Sequence, residues 1–237
     1  MMKMNKEILL VNKEYGLSSD YVPDDLVIVD NNENNFHRYV NPKLKPMIKK
    51  EVLYHFNELK NDALKDNLNI IIDSGYRSYD YQKEIYLKNL IKKYYELKRE
   101  LISITDLDIL KESIKKVNKM VAIPGHSEHQ SGLAIDIACF RNNIYSDEII
   151  NSDEEIWMKE NSYKYGFILR YPENKEYITG YNYEPWHYRY VGIDISSEIK
   201  NDITLEEYLL IKKWVFIFIK AHFYCNKKSS LELIYFY

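Results

Sequence analysis

The run His126-Ser127-Glu128-His129-Gln130-Ser131-Gly132-Leu133-Ala134-Ile135-Asp136 sets the architecture of this 237-residue chain. Its second half, carried on to Ala138, reads as a β-strand, in which successive side chains point to opposite faces. Leu133, Ile135 and Ile137 form an apolar row that belongs against a core. Gly132, Ala134, Asp136 and Ala138 form the other row, small apart from one carboxylate. A charged group among tiny neighbours leaves room for something to sit against it. A carboxylate between two isoleucines also needs a partner, because burying it unpaired is costly. A metal ion would serve, and His129, just before the strand, can curl back onto the same ion.

Working outward, Ile48, Val52, Phe56, Leu59 and Ala63 recur at helical spacing and predict a helix ending near Lys65. Leu68–Ile72 then reads as a buried strand that ends at Ser74-Gly75. Helices are expected at about Tyr79–Arg99 and Asp106–Lys119, the latter broken by Pro124-Gly125. Ser152 and Glu155 have the spacing of a capping box, which starts a helix that stops at Gly166. Phe167–Leu169 and His187–Val191 read as strands, and a last helix starts near Thr204, with Glu206 and Glu207 in its first turn. Upstream, Leu26–Val29 reads as a short strand, between turns at Pro23 and at Asn31-Asn32. Helices first and strands later point to an α+β domain around a mostly antiparallel sheet.

Composition narrows the chemistry. A net charge of −3 gives no basic footprint for nucleic acid. Cys139 and Cys225 are too few for a disulfide framework or a thiolate zinc module, so a metal site must draw on the six histidines and the acids. No run reaches the roughly 18 apolar residues of a membrane span. The N-terminal residues lack the apolar stretch of a signal peptide.

Glu184-Pro185-Trp186-His187 supplies the second half of the site. His187 opens a strand, and Glu184 sits in the turn before it, where it can approach a metal held by the imidazole without ligating it. Two histidines, one aspartate and a water make the open four-coordinate arrangement of a catalytic zinc. A nearby unligated glutamate is what such a site needs to take a proton from water. Arg77, after a strand and a glycine turn, is either a surface ion-pair residue or a guanidinium aimed at a substrate carbonyl or carboxylate. His126 reads as a loop residue, with a pocket residue as the alternative, and His55 as packing or surface; His37 and His222 have no such context.

Ser74-Gly75-Tyr76-Arg77-Ser78, Ser127–Asp136 and Glu184–His187 together resemble the signature of the VanY-type D-alanyl-D-alanine carboxypeptidases. That metallopeptidase group also includes the VanX dipeptidases, the VanXY enzymes and phage cell-wall endopeptidases. Tyr165–Pro172, Ile178-Thr179-Gly180, Glu184–Gly192 and Thr204–Tyr208 extend the similarity, which covers roughly Leu9 to Leu210. The resemblance implies a single α+β domain over residues 1–210 with the metal on its central sheet, and a C-terminal extension over 211–237. It implies Zn2+ on His129, Asp136 and His187, Glu184 as general base and then acid, and Arg77 as oxyanion stabiliser. Ser127 and Gln82 are implied to hold the substrate's terminal carboxylate. The implied substrate is the D-Ala-D-Ala end of a peptidoglycan stem peptide or its precursor. An L,D-carboxypeptidase or endopeptidase would share this metal chemistry, and a zinc-bearing module that only binds cell-wall peptide is the non-catalytic alternative. Many VanY-type enzymes carry an N-terminal signal or anchor; the sequence shows none, as in the VanXY type, so a cytoplasmic location is expected, with the cell-wall side as the alternative. The tail after Leu210, with Trp214–Ile219, has no counterpart in the group. It reads as a frameshifted or poorly packed extension, with a covering helix or a membrane-surface segment as the other readings.

Overall fold

The computed structural model describes residues 8–30, 45–100, 104–141, 144–200 and 203–232. The expected turn at Asn31-Asn32 and His37 fall outside these residues, as does the side chain of His222. A two-stranded ribbon opens the fold, with β1 (Leu26–Ile28) antiparallel to β2 (Met47–Lys49). Helix α1 (Lys50–Lys65) follows β2 directly. The periodicity that places Ile48 on this helix is overridden by pairing: Ile48 stands opposite Val27 in the ribbon, and its side chain is buried in the same core as Val52, Phe56, Leu59 and Ala63. Spacing alone cannot distinguish a strand residue that feeds a core from the first turn of the helix behind it.

The central sheet is antiparallel throughout, in the order β3 (Asn69–Ser74), β4 (Ala134–Arg141), β7 (His187–Tyr190), β6 (Phe167–Leu169), with β5 (Ile144–Ser146) also paired to β4. Its inner face carries Ile70, Ile72, Ile135, Ile137, Tyr188, Tyr190, Phe167 and Leu169, packed against α1 and against Met158 of α4 (Asp153–Asn161). Helix α2 (Tyr79–Glu100) and helix α3 (Asp106–Val117) pack on one another. Thr105 caps α3 by accepting from the Asp108 N–H.

The Ser152 hydroxyl accepts from Glu155 N–H, while the Glu155 carboxylate takes the N–H of Asn151, one residue before the cap. Past α4, residues Ser162–Tyr165 tighten into a 3-10 turn, and Gly166 ends it at φ 88°. The Thr204 hydroxyl accepts from Glu207 N–H, and Glu207 accepts from Thr204 N–H. The short helices α5 (Glu176–Thr179) and α6 (Ile193–Ile199) are too brief to leave a periodic signal. The segment after Leu210 continues α7 (Leu205–Glu232) as one helix. The architecture is thus the α+β one, with seven helices among the described residues around an antiparallel sheet.

Candidate active site

Strand register assembles the site. Ser74 on β3 stands opposite Asp136 on β4, and Asp136 stands opposite His187 on β7. One row across three neighbouring strands therefore holds an alcohol, a carboxylate and an imidazole on the face away from the isoleucines. A register irregularity between Ile72 and Ser74 ends β3. Gly75 then passes so close to β2 that a Cβ there would sit 2.3 Å from the Met47 carbonyl oxygen. No other residue fits that passage, and it delivers Arg77 to the end of the sheet.

His129 comes from a 3-10 turn, Glu128–Ser131, closed by Gly132 at φ 69°. The turn is tied to the β3 exit, since the Arg77 N–H donates to the His129 carbonyl. The His129 ring donates from Nδ1 to the Gly75 carbonyl at 2.7 Å, which leaves Nε2 as the lone-pair nitrogen, 3.2 Å from Asp136 Oδ1. His187 approaches from the other side. Its Nδ1 lies 3.0 Å from the same Asp136 oxygen, and its Nε2 faces Glu128 Oε2 at 3.6 Å. The two rings meet edge to face, 4.9 Å apart.

His129, Asp136 and His187 each bring one donor atom within 4.8 Å of the others. With the far nitrogen of each ring turned to an acceptor, two imidazole lone pairs and a carboxylate converge on one another. With both rings deprotonated on the facing nitrogen, these three donors could hold one metal ion. Two nitrogens and an oxygen, with no thiolate, suit zinc among the divalent metals.

The charges are tuned in opposite directions within a few ångströms. Burial opposes the Asp136 carboxylate, but His129 and Arg77 overcome it and hold the group well below the usual range. Burial pushes Glu184 up to about 7, against the lowering effect of His187, from whose Nδ1 the carboxylate lies 4.0 Å. Burial and the Arg77 charge lower His129 to about 4. For His187 burial is outweighed by hydrogen bonding to Asp136 and Glu128, which raises it to about 9. Glu184 is held in place by its backbone: its N–H donates to the Tyr171 carbonyl, and its carbonyl accepts from the His187 N–H.

Arg77 is oriented from below. Its Nε and Nη2 donate to Ser74 Oγ at 3.1 and 2.9 Å, and Nη2 also pairs with Asp136 Oδ2. Its Nη1 makes no hydrogen bond among the described residues. Ser127 and Gln82 are both buried and line the same cavity of about 180 Å³, with Arg77, Glu184, Tyr171 and Trp186. Gln82 donates to the Ala122 carbonyl at 2.8 Å and keeps a second N–H. His126 stands outside this group, bonded through Nδ1 to the Asn12 carbonyl, and His55 stacks on Tyr190.

Sequence reading missed the support behind His187. Glu128 is fully buried; its Oε1 accepts from Arg170 Nε at 2.9 Å and Arg189 Nη1 at 2.7 Å. Burial would raise this carboxyl, but the two guanidinium charges hold it well below the usual range. Arg170 in turn grips Glu206 at the start of α7 with two bonds, of 2.9 and 2.6 Å. The available signal was Arg189, two residues after His187 on a strand and thus on the same face. A buried arginine beside a candidate ligand histidine calls for a carboxylate.

Residues 45–193 match the family model for VanY, D-alanyl-D-alanine carboxypeptidase. Among curated relatives, YodJ of Bacillus subtilis is 41% identical over 85% of this chain, and a D-alanyl-D-alanine carboxypeptidase of Enterococcus faecium is 33% identical over 85%. The chain spans 66% and 57% of the length of these two proteins. Among solved structures, the LD-carboxypeptidase LdcB matches with a TM-score of 0.68 and 40% identity, covering 84% of each chain. A Zn(II) complex of a variant of the vancomycin-resistance D,D-pentapeptidase VanY matches with a TM-score of 0.63 and 34% identity, covering 85% of this chain and 97% of that one. By sequence and fold, this chain belongs to the VanY family of D-alanyl-D-alanine carboxypeptidases.

Proposed function

We propose that the chain is a zinc-dependent carboxypeptidase that removes the terminal D-Ala from peptides ending in D-Ala-D-Ala, the ends of peptidoglycan stem peptides or their precursors. The observation that carries this reading is the convergence of His129 Nε2, His187 Nδ1 and Asp136 Oδ1 beside a buried, unligated Glu184 carboxyl near 7. His129, Asp136 and His187 would hold the ion. When bound, zinc supplies positive charge that acidifies water and polarises the scissile carbonyl.

The remaining work falls to side chains. Glu184, buried and tuned toward neutrality, takes the proton from the attacking water and returns it to the leaving amine. Arg77, fixed by Ser74 and Asp136, offers Nη1 to the oxygen that gains charge as the carbonyl becomes tetrahedral. Ser127 and the second N–H of Gln82 bind the terminal carboxylate, which selects a chain end over an internal bond. The cavity of about 180 Å³ is well below the roughly 300–1,000 Å³ of sites for larger ligands. It suits two residues with methyl side chains. A non-catalytic binding module has no use for a tuned base beside its metal.

The similarity to LdcB supports a second reading, an L,D-carboxypeptidase acting on tetrapeptides that end in a single D-Ala. One assay separates the two. D-Ala release is measured from a pentapeptide ending in D-Ala-D-Ala and from the corresponding tetrapeptide, each with and without a chelator. Release from the pentapeptide alone, lost with chelator and restored by zinc, is expected. Release from the tetrapeptide alone assigns the second reading, and release that survives thorough chelation removes the metal from the mechanism.

A further inference from the structure

Helix α7 leaves the domain with an exposed, mostly apolar stretch over residues 210–218. Its first turns are well rooted: Leu205 and Tyr208 are buried, Glu206 takes Arg170, and Lys212 pairs with Glu198 on α6 at 2.5 Å. Beyond that point nothing among the described residues covers it. Trp214 is 63% exposed and Phe218 74%.

The exposed residues are ordered around the axis. At about 100° per residue, Leu210, Ile211, Trp214, Val215, Ile217 and Phe218 fall within an arc of roughly 160°. Lys212, Lys213 and Lys220 fall within roughly 100° on the other side, together with the exposed Phe216, whose ring lies under Lys220 at 4.3 Å. Leu209 and Lys212, which touch the domain, belong to the basic side, so the apolar arc faces away from the fold.

Charge says what would cover it. From Tyr208 to Leu231 the chain has Lys212, Lys213, Lys220, Lys227 and Lys228 and no Asp or Glu, although the whole protein carries −3. A second copy packed through this arc would leave the lysines unengaged. An anionic surface would engage both, and an apolar arc bearing tryptophan and phenylalanine with lysines beyond its edges is what an interfacial helix needs. No helix among the described residues is long and apolar enough to cross a membrane.

We propose that the 209–220 portion of α7 docks the enzyme on an anionic phospholipid bilayer, lying in the interface with Trp214 and Phe218 inserted and its lysines among the headgroups. The docking segment takes no part in the peptidase site and stands whether or not that site cleaves D-Ala-D-Ala.

The test is co-sedimentation of the full chain with phosphatidylcholine vesicles, with and without phosphatidylglycerol. Binding to the anionic vesicles about tenfold above the neutral ones, falling as salt rises, is expected. W214E/F218E and K213E/K220E should each drop to the neutral-vesicle level while keeping the wild-type melting temperature and zinc content. No binding, equal binding to both vesicle types, or wild-type binding by both variants would overturn the proposal. So would a concentration-dependent dimer in sedimentation velocity that W214E/F218E dissolves, which would give the face to a second copy.

Discussion

The two edges of the His187 ring face different kinds of surroundings. On the Nδ1 side are Asp136, His129 Nε2 and the Glu184 carboxyl, acceptors turned toward one another. On the Nε2 side are Glu128, Arg170, Arg189 and Glu206, two carboxylates against two guanidiniums, each buried charge met by an opposite one. The first group offers its donor atoms to a metal ion. The second is complete and holds the ring that the first one uses. Removing a residue from the front should therefore abolish chemistry or the metal itself, and removing one from the back should weaken metal affinity or stability.

The largest effect is expected from Glu184→Ala. Turnover of the D-Ala-D-Ala peptide should fall by roughly 10³-fold, the scale of a positioned acid–base group, while zinc content by metal analysis stays at the wild-type level. His129→Ala should instead lose the metal itself. If Glu184→Ala also lost its zinc, Glu184 would belong to the ligand set and the proposed division of labour would be wrong.

Glu128→Gln probes the back at its closest approach. A carboxylate facing the far nitrogen of a ligating histidine fixes the ring and raises its basicity, and losing it costs typically 10–100-fold in metal affinity. Competition against a chelator should show a loss of that size, with turnover at saturating zinc reduced far less. Unchanged affinity would make Glu128 an ion-pair anchor for the arginines and nothing more.

The two sides were unequally legible in the sequence for a physical reason. His129, Asp136, Glu184 and His187 sit within short segments whose local pattern (a small-residue strand face and a turn before a strand) restricts what they can do. The strand and helix spans came from periodicity, which is also local. The back is built from contacts 42 and 61 residues apart, Glu128 to Arg170 and to Arg189, and no spacing rule connects them. Ile48 went astray for the same reason, since pairing with Val27 across a long connection outranked its local spacing.

Titration of Glu184 sharpens the comparison from the front. In metal-free protein, NMR of labelled glutamate should find it near 7, because burial disfavours the charged form. Zinc adds positive charge close by and favours the carboxylate, so its addition should move the midpoint down by about one unit or more. A midpoint in the ordinary range before zinc would mean that the carboxyl is solvated, and its tuning by burial would be refuted.

The smallest effect is expected at the outer end of the back, from Glu206→Gln. Glu206 closes the chain of charges by taking both terminal nitrogens of Arg170, and it also accepts from Asn12. The glutamine keeps one acceptor for that fork but loses the charge. Arg170 still has Glu128, so no buried cation is left unpaired, and the large penalty of a broken buried pair does not apply. What remains is the loss of a charge-assisted hydrogen bond at the root of α7, about 1.5–3 kcal/mol. At roughly 2–4 °C per kcal/mol for a chain of this size, the melting temperature should fall by several degrees, with zinc affinity and turnover within about twofold of wild type. A drop in zinc affinity as large as that of Glu128→Gln would mean that the strain passes along Arg170 to His187, and the back of the site would then act as one unit.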